Sequence, residues 1–402
     1  MEGELLARSS VQGPIPQEEA LSLSFCRAAQ LAWLFLVTLP ALLLAPGCTP
    51  TQMVAFNDRL NRPLIFFSEF VGQPELSPDG RLAVVPVLVR GTSGSVLAVI
   101  DVDSGKLRTF TSPGSEYWYG PSFSATGERI VFVRGCKRRC KGKNAYQISL
   151  LDLRTGVDTT VTVEEGFARR APVFSPDGRF VVYGAFRRAY DNRFGQLEYS
   201  YWFGLYTKQI RVLDLETGIE HTLPLKELGL EWNGPVIPEG FLDEKTLVVS
   251  ASWPKGDSAL LEKVKKKSGG KRSRHRRSYA ITFDRPLDSA SPLPRLVAVD
   301  FLAAEWVQKD RIGISSDSHL MVLRSGYNIL VGNTRKIQQV TYVGEAVTDA
   351  AISKSGNRVA YFVKKDRHIR ELWILDIPTG KIWEIGLRER LRALYFPNRS
   401  GS

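Results

Sequence analysis

Histidine and cysteine are both scarce: the 402-residue chain holds four of each. The histidines (His221, His275, His319 and His368) lie far apart in sequence, so only a fold that gathers distant residues could build a His-rich metal site. Two of the cysteines sit in or beside the apolar run near the N-terminus. The G-x-S-x-G turn of α/β-hydrolases is missing, and so is the G-x-x-x-x-G-K-[ST] phosphate loop, so neither chemistry has its usual carrier here. Acid is in short supply too. Lys and Arg total 54 against 42 Asp and Glu, a formal net charge of +12; this excess says nothing about fold but favours anionic partners. What is present is ordinary: 43% apolar and 24% charged residues, a globular balance that excludes wholesale disorder. The length allows two or three ordinary domains, or one large all-β domain.

Residues 28–45 read AAQLAWLFLVTLPALLLA, an uncharged apolar run of 18 residues directly after Arg27. A signal-peptide core is usually shorter, and a spanning helix needs about 20 apolar residues. The run ends in Leu44-Ala45-Pro46-Gly47-Cys48, which resembles the lipobox of bacterial lipoproteins, where a small residue precedes a cysteine that becomes lipidated. Gly47 fits; Ala45 and Pro46 depart from the commonest form, and Glu2, Glu4, Glu18 and Glu19 are unusual before a signal core. Three readings stand: a lipoprotein attached at Cys48, an uncleaved anchor helix kinked at Pro40, or a cleaved soluble form. All three export the residues that follow. Thr49 follows the cysteine, where an aspartate would retain a Gram-negative lipoprotein in the inner membrane. The lipobox reading thus implies a lipid-anchored, periplasm-facing protein of the outer membrane, and the uncleaved helix an inner-membrane one. The expected organisation is a signal or anchor at 1–48 forming one apolar helix, a linker at 49–64, and a folded domain at 65–402.

A short phrase recurs through that domain. Gln73 to Arg81 reads QPELSPDGR, Gly120 to Arg129 GPSFSATGER, Ala171 to Arg179 APVFSPDGR, and Asp349 to Arg358 DAAISKSGNR. Each copy leads into an apolar stretch. The physical reading is a hairpin whose turns are Ser77, Pro78, Asp79 and Gly80, and Ser175, Pro176, Asp177 and Gly178: proline presets φ, aspartate bonds its own backbone, and glycine accepts positive φ. A second phrase follows at variable distance: VIDVDSG ending at Gly105, LLDLRTG at Gly156, VLDLETG at Gly218 and ILDIPTG at Gly380. It predicts a third strand turning tightly into a fourth. Four antiparallel strands per unit of about 40–50 residues mark a propeller blade. With two degenerate copies in the middle, six units are expected in an all-β ring. Leu391 to Arg399 (LRALYFPNR) reads as the first strand of a further unit, which leaves seven blades as the alternative.

The pairing of SPDG-type turns with LDLxTG-type strands resembles the TolB-like propeller family over residues 65–399. The resemblance implies fold more than function, since similar repeats form the propeller halves of prolyl-oligopeptidase-like enzymes and occur in some sugar lyases. It implies structural turns, no catalytic residue and no cofactor.

The links between second and third strands hold the charge. Residues 134–145 carry +6 (Arg134, Lys137, Arg138, Arg139, Lys141 and Lys143), and 187–208 carry +2. The insertion at 255–277 carries +8, including Lys265, Lys266, Lys267, Lys271, Arg272, Arg274, Arg276 and Arg277, and 364–370 carry +3 with Lys364, Lys365 and Arg367. Together these amount to +19 against +12 for the whole chain, so the remainder is net acidic. Either these are solvated loops, one of them disordered, or they form a basic platform for an anionic partner. Outside the cytoplasm the platform would meet an envelope protein, an anionic lipid or an acidic glycan rather than nucleic acid. Aromatic residues between Tyr190 and Tyr206 would add contact surface or cover the propeller mouth. Cys136 and Cys140 bracket Lys137-Arg138-Arg139; with no further ligand nearby for zinc, a disulfide is the better reading in an exported chain. A monomeric, non-catalytic binding module is the expectation. The alternative is a hydrolase or lyase for glycan or peptide, with a site gathered in the central channel.

Overall fold

The structure is a computed structural model. It describes residues 73–395 apart from 89–93, 112–115, 137–145, 163–166, 188–207, 224, 226–230, 233–235, 252–253, 256–276, 288–293, 302–312, 316–319, 326–327, 333–336, 343–345 and 365–369. Contacts divide the chain into Met1–Pro63 and Leu64–Ser402. The first unit, with the expected N-terminal helix, Cys48 and most of the linker, lies outside the described residues. Among the described residues no helix is long and apolar enough to cross a membrane.

The chain forms antiparallel four-stranded sheets in sequence. Blade 1 is β1 (Glu75–Leu76), β2 (Leu82–Leu88), β3 (Ser95–Asp101) and β4 (Leu107–Thr111). Blade 2 is β5 (Glu116–Phe123), β6 (Arg129–Cys136), β7 (Tyr146–Asp152) and β8 (Asp158–Thr160). Blade 3 is β9 (Phe167–Phe174), β10 (Phe180–Arg187), β11 (Lys208–Asp214) and β12 (Glu220–Leu223). After β13 (Glu231–Trp232), blade 4 is β14 (Ile237–Asp243), β15 (Thr246–Ala251), β17 (Arg277–Phe283) and β18 (Leu296–Phe301), with β16 (Pro254–Lys255) between β15 and β17. Blade 5 is β19 (Gly313–Ser315), β20 (Leu320–Ser325), β21 (Asn328–Gly332) and β22 (Ile337–Tyr342). Blade 6 is β23 (Ala346–Ile352), β24 (Arg358–Lys364), β25 (Arg370–Asp376) and β26 (Ile382–Glu384). The described residues thus hold six four-stranded sheets, and β13 pairs β16 in a small separate ladder. First strands touch in turn, from β1 through β5, β9, β14 and β19 to β23, and β23 returns to β1. The sheets are therefore blades around an axis, with their first strands innermost.

A blade packed between two others has little solvent-facing surface at its centre. In β2, Ala83, Val85 and Val87 pack toward blade 6, while Val84 packs toward blade 2. Uninterrupted apolar runs such as LAVVPVL follow from burial on both faces. The core accordingly lies between blades, in clusters that each join two neighbours.

The recurring phrases are turns with their own hydrogen-bond sets. The Ser77 hydroxyl accepts from Leu82 N at 2.8 Å and donates to Asp79 Oδ1 at 2.6 Å. Gly80 sits at φ 76°, a conformation costly for any residue with a Cβ. Ser175, Pro176, Asp177 and Gly178 form the same turn between β9 and β10, with Ser175 Oγ donating to Asp177 and accepting from Phe180 N. In the second phrase Asp101, Asp152 and Asp376 each accept from a backbone N–H three residues on, at 2.7–3.0 Å; Asp214 accepts from Glu216 N at 2.9 Å. These bonds to the ionised form hold the Asp101 and Asp152 carboxyls below the usual value of 3.8. Arg179 does most of this for Asp214, and the Thr379 hydroxyl for Asp376. The two phrases also meet. Leu153 N donates to Glu128 O at 2.9 Å, and Arg179 pairs with Asp214 at 2.8 Å.

One expected strand is a helix. Leu391 to Arg399 is expected to begin a further blade, but α1 spans Leu387–Tyr395. Its leucines at 387 and 391 stand one turn apart on one face, and both are buried. The LRALY spacing satisfies this helical stripe as well as a strand, and burial between blades 1 and 6 decides for the helix. Among the described residues no strand follows β26, so no seventh blade begins there.

Candidate functional site

The four basic segments occupy one topological position. Residues 137–145 follow β6, 188–207 follow β10, 256–276 precede β17, and 365–369 follow β24. Each therefore links the second strand of its blade to the third. In a ring with its first strands innermost, such links and the inter-blade connections emerge on one face, opposite the Ser-Pro-Asp-Gly turns. Two contacts display this. β13, in the connection from blade 3 to blade 4, pairs with β16 in the second-to-third link of blade 4, Glu231 opposite Lys255 and Trp232 opposite Pro254. Ser95, where the corresponding link of blade 1 ends, accepts from Trp118 N at 2.5 Å near the start of blade 2. The strand β16 that precedes the basic residues is thus fastened to the connection between blades 3 and 4.

Few of the expected contact residues are described. Lys137, Arg138, Arg139, Lys141, Lys265, Lys266, Lys267, Lys271, Arg272, Arg274, Arg276, Lys365 and Arg367 lie outside the described residues, as do Cys48 and Cys140. Cys136 ends β6 opposite Glu116, and Arg277 opens β17 opposite Ala251. Lys364 is exposed at the end of β24. Arg134 is bonded within its own blade: Nε donates to Glu116 at 2.5 Å and Nη1 to Asp158 at 2.8 Å. It ties β5, β6 and β8 together, and two carboxylates offset its charge.

The axial channel is the second place where polar groups gather. Its wall comes from the first strands, with Glu75 from β1, Ser122 from β5, Glu239 from β14 and Lys354 beyond β23, among Pro121, Pro172 and Phe241. The strands lining it are irregular at matching points: register shifts interrupt β5, β9, β14 and β23. Ala171 and Asp349 sit in these irregular stretches at φ 47° and 49°, a left-handed conformation costing side-chain-bearing residues about 1–2 kcal/mol. The wall thus combines two carboxylates with one amine. Among the described residues no three His, Cys, Asp or Glu side chains cluster as a metal site would require.

Blade 3 holds a polar group that no motif announces. Arg169 is fully buried, as is Tyr183. The Tyr183 hydroxyl donates to Glu220, which also pairs with Arg211 at 2.8 Å. Burial, and after it the Glu220 carboxylate, push the Tyr183 phenol well above its usual range, with Arg169 opposing. The sequence signal was only an arginine pair at 169–170 just before the repeat phrase. Neutral tyrosine donates to a carboxylate that Arg211 also pairs, with Arg169 against the phenol, the chemistry of a buried polar network in a core.

No protein-family model matches the chain, and no curated protein does. Solved structures do. TolB from Acinetobacter baumannii is similar at 16% identity and a TM-score of 0.47, over 77% of this chain and 61% of that one. An oligogalacturonate lyase in complex with manganese is similar at 14% identity and 0.47, over 77% and 75%. The propeller domain of the Trilobed protease from Pyrococcus furiosus is similar at 13% and 0.40, over 79% and 84%. This chain spans less than two thirds of the A. baumannii TolB chain. At these identities the likeness concerns fold alone; the four-stranded blades described above establish the propeller.

Proposed function

We propose that this chain is a non-catalytic, envelope-associated β-propeller that binds an anionic envelope component, protein, lipid or glycan, on the face where its second-to-third links emerge. The observation that carries this reading is topological: the segments 134–145, 187–208, 255–277 and 364–370, +19 in sum with their flanking strand ends, each run through the second-to-third link of a blade. Unconstrained solvated loops have no reason to concentrate charge at one position in four blades while the rest of the chain is net acidic. The ladder between β13 and β16 supports the reading by fastening the base of the most basic segment. The lipobox-like Leu44-Ala45-Pro46-Gly47-Cys48 supports a lipid anchor facing the periplasm, and Thr49 supports the outer membrane.

The test is capture from solubilised envelope by the full chain, beside a variant lacking 263–277. An envelope protein or anionic lipid held by the full chain and lost by the variant, with binding that weakens steeply as salt rises, is the expected result. Equal capture by both would demote the insertion to a solvated loop. The second reading, a hydrolase or lyase for glycan or peptide, draws on Glu75, Glu239 and Lys354 in the axial channel. It requires turnover of such a substrate that Glu75→Gln or Glu239→Gln abolishes while leaving capture intact.

A further inference from the structure

Among the described residues the ring closes without a shared strand. Blade 1 consists of β1–β4 and blade 6 of β23–β26, and neither sheet includes a described strand from the other. At every other junction the chain itself passes from one blade into the next. Blades 6 and 1 pack directly on each other, Val85 and Ile100 against Phe362 and Ile374, and the described residues add three further kinds of contact. Ser355 N donates to Pro78 O at 3.0 Å, joining the two turns. Arg358 donates to Asp103 at 2.7 Å and to Gly80 O at 3.2 Å, and lies 3.6 Å from Asp376 of its own blade. The third contact is α1. Leu387 and Leu391, 2% and 0% exposed, complete one apolar cluster with Val85 and Ile100 of blade 1 and Phe362 and Ile374 of blade 6. Tyr395 packs against the same cluster.

α1 is poorly equipped to exist undocked. Nine residues are fewer than an isolated helix needs in water. Arg390 ties it down: Nε donates to Ile385 O at 2.9 Å, and the guanidinium lies against the Ser104-Gly105 turn of blade 1, where a Cβ on Gly105 would collide with it. Opposite, Leu394 is 53% exposed. Undocked, a helix this short would unfold, and the apolar side chains it covers at the edge of blades 1 and 6 would meet water.

We propose that α1 is a latch on the ring: it seals the junction that the chain does not cross, and its undocking opens blades 1 and 6 as one unit ahead of the remaining blades. Ring closure thereby becomes a two-state element. The Arg358 bonds to Asp103 and Gly80 O hold the turn side of the seam, while α1 adds to the apolar packing of blade 1 on blade 6.

Amide hydrogen exchange on the full chain tests this, with Leu391→Asp as the disrupting variant and Leu394→Asp as the control on the exposed face. In the unmodified protein, α1, β2, β3, β24 and β25 are expected to exchange through one shared opening, roughly tenfold or more faster than β10 and β11 of blade 3. Leu391→Asp accelerates that set further and leaves β10 and β11 protected; Leu394→Asp changes neither. Exchange of α1 alone, with the seam strands as protected as blade 3, would overturn the latch. So would a single opening of all blades in the unmodified protein, and that pattern decides the matter if Leu391→Asp fails to fold.

Discussion

At Arg134 the charge count and the structure part company. As one cation among six in residues 134–145, it belongs to the basic platform; in the fold it bridges Glu116 and Asp158. Arg134→Gln is therefore expected to cost roughly 1–2 kcal/mol of stability, as loss of a charged hydrogen-bond pair does, while capture of an anionic partner is unchanged. Denaturant unfolding beside the capture assay separates the two; weaker capture at unchanged stability would return Arg134 to the platform. The aspartates of the second phrase make a pH prediction. In Asp101, Asp152, Asp214 and Asp376 the folded state holds the carboxyl below the usual 3.8. Each depressed group stabilises the fold fully above its unfolded value, and that contribution is lost as pH falls through the lower folded value. Thermal stability should hold from neutrality to about pH 5 and then fall below about pH 4. Asp101→Asn, which keeps an acceptor but not the charge, should flatten its share of that fall. An unchanged acid slope would mean the turn bonds are not what acid breaks.

Turns and the helix operate at the next scale. Gly105 and Gly218 end the same phrase in blades 1 and 3 with φ of 67° and 70°, so Ala at either pays the same left-handed strain, about 1–2 kcal/mol. Their surroundings differ: nothing lies within 4 Å of a Cβ built on Gly218, while one on Gly105 meets the Arg390 guanidinium. Gly105→Ala should therefore destabilise more than Gly218→Ala, by roughly 0.5–1 kcal/mol for a displaced hydrogen bond. Paired thermal melts read this, and equal losses would mean Arg390 swings aside freely. The blades themselves were legible, because a hairpin's turn chemistry is local: Ser77 reaches only to Leu82, and Asp101 only to Ser104. α1 was not. Leu387, Leu391 and Tyr395 fit a strand or a helix until the cluster between blades 1 and 6 is known. The β13–β16 ladder, two residues a side, is too short to leave any periodicity.

For the molecule as a whole, anchoring and binding are separable. Cys48→Ser should abolish metabolic lipid labelling and release the protein from the membrane fraction if the lipobox is used. Retention in the membrane without labelling would instead assign the apolar run at 28–45 to an uncleaved anchor helix. In neither case should the propeller's melting change.

Sequence alone determined the blade, its two turn phrases and the gathering of basic residues around one kind of link, because each rests on residues close in the chain or on composition. Tertiary structure decided what depends on groups far apart. It set Arg134 between Glu116 and Asp158, buried Arg169 beside Tyr183, and lined one channel with Glu75 and Glu239. It also placed Leu391 between the first blade and the last. A repeat specifies each unit through short-range hydrogen bonds, but closing the ring is a meeting of surfaces some 300 residues apart, and only packing selects which side chains fill the seam.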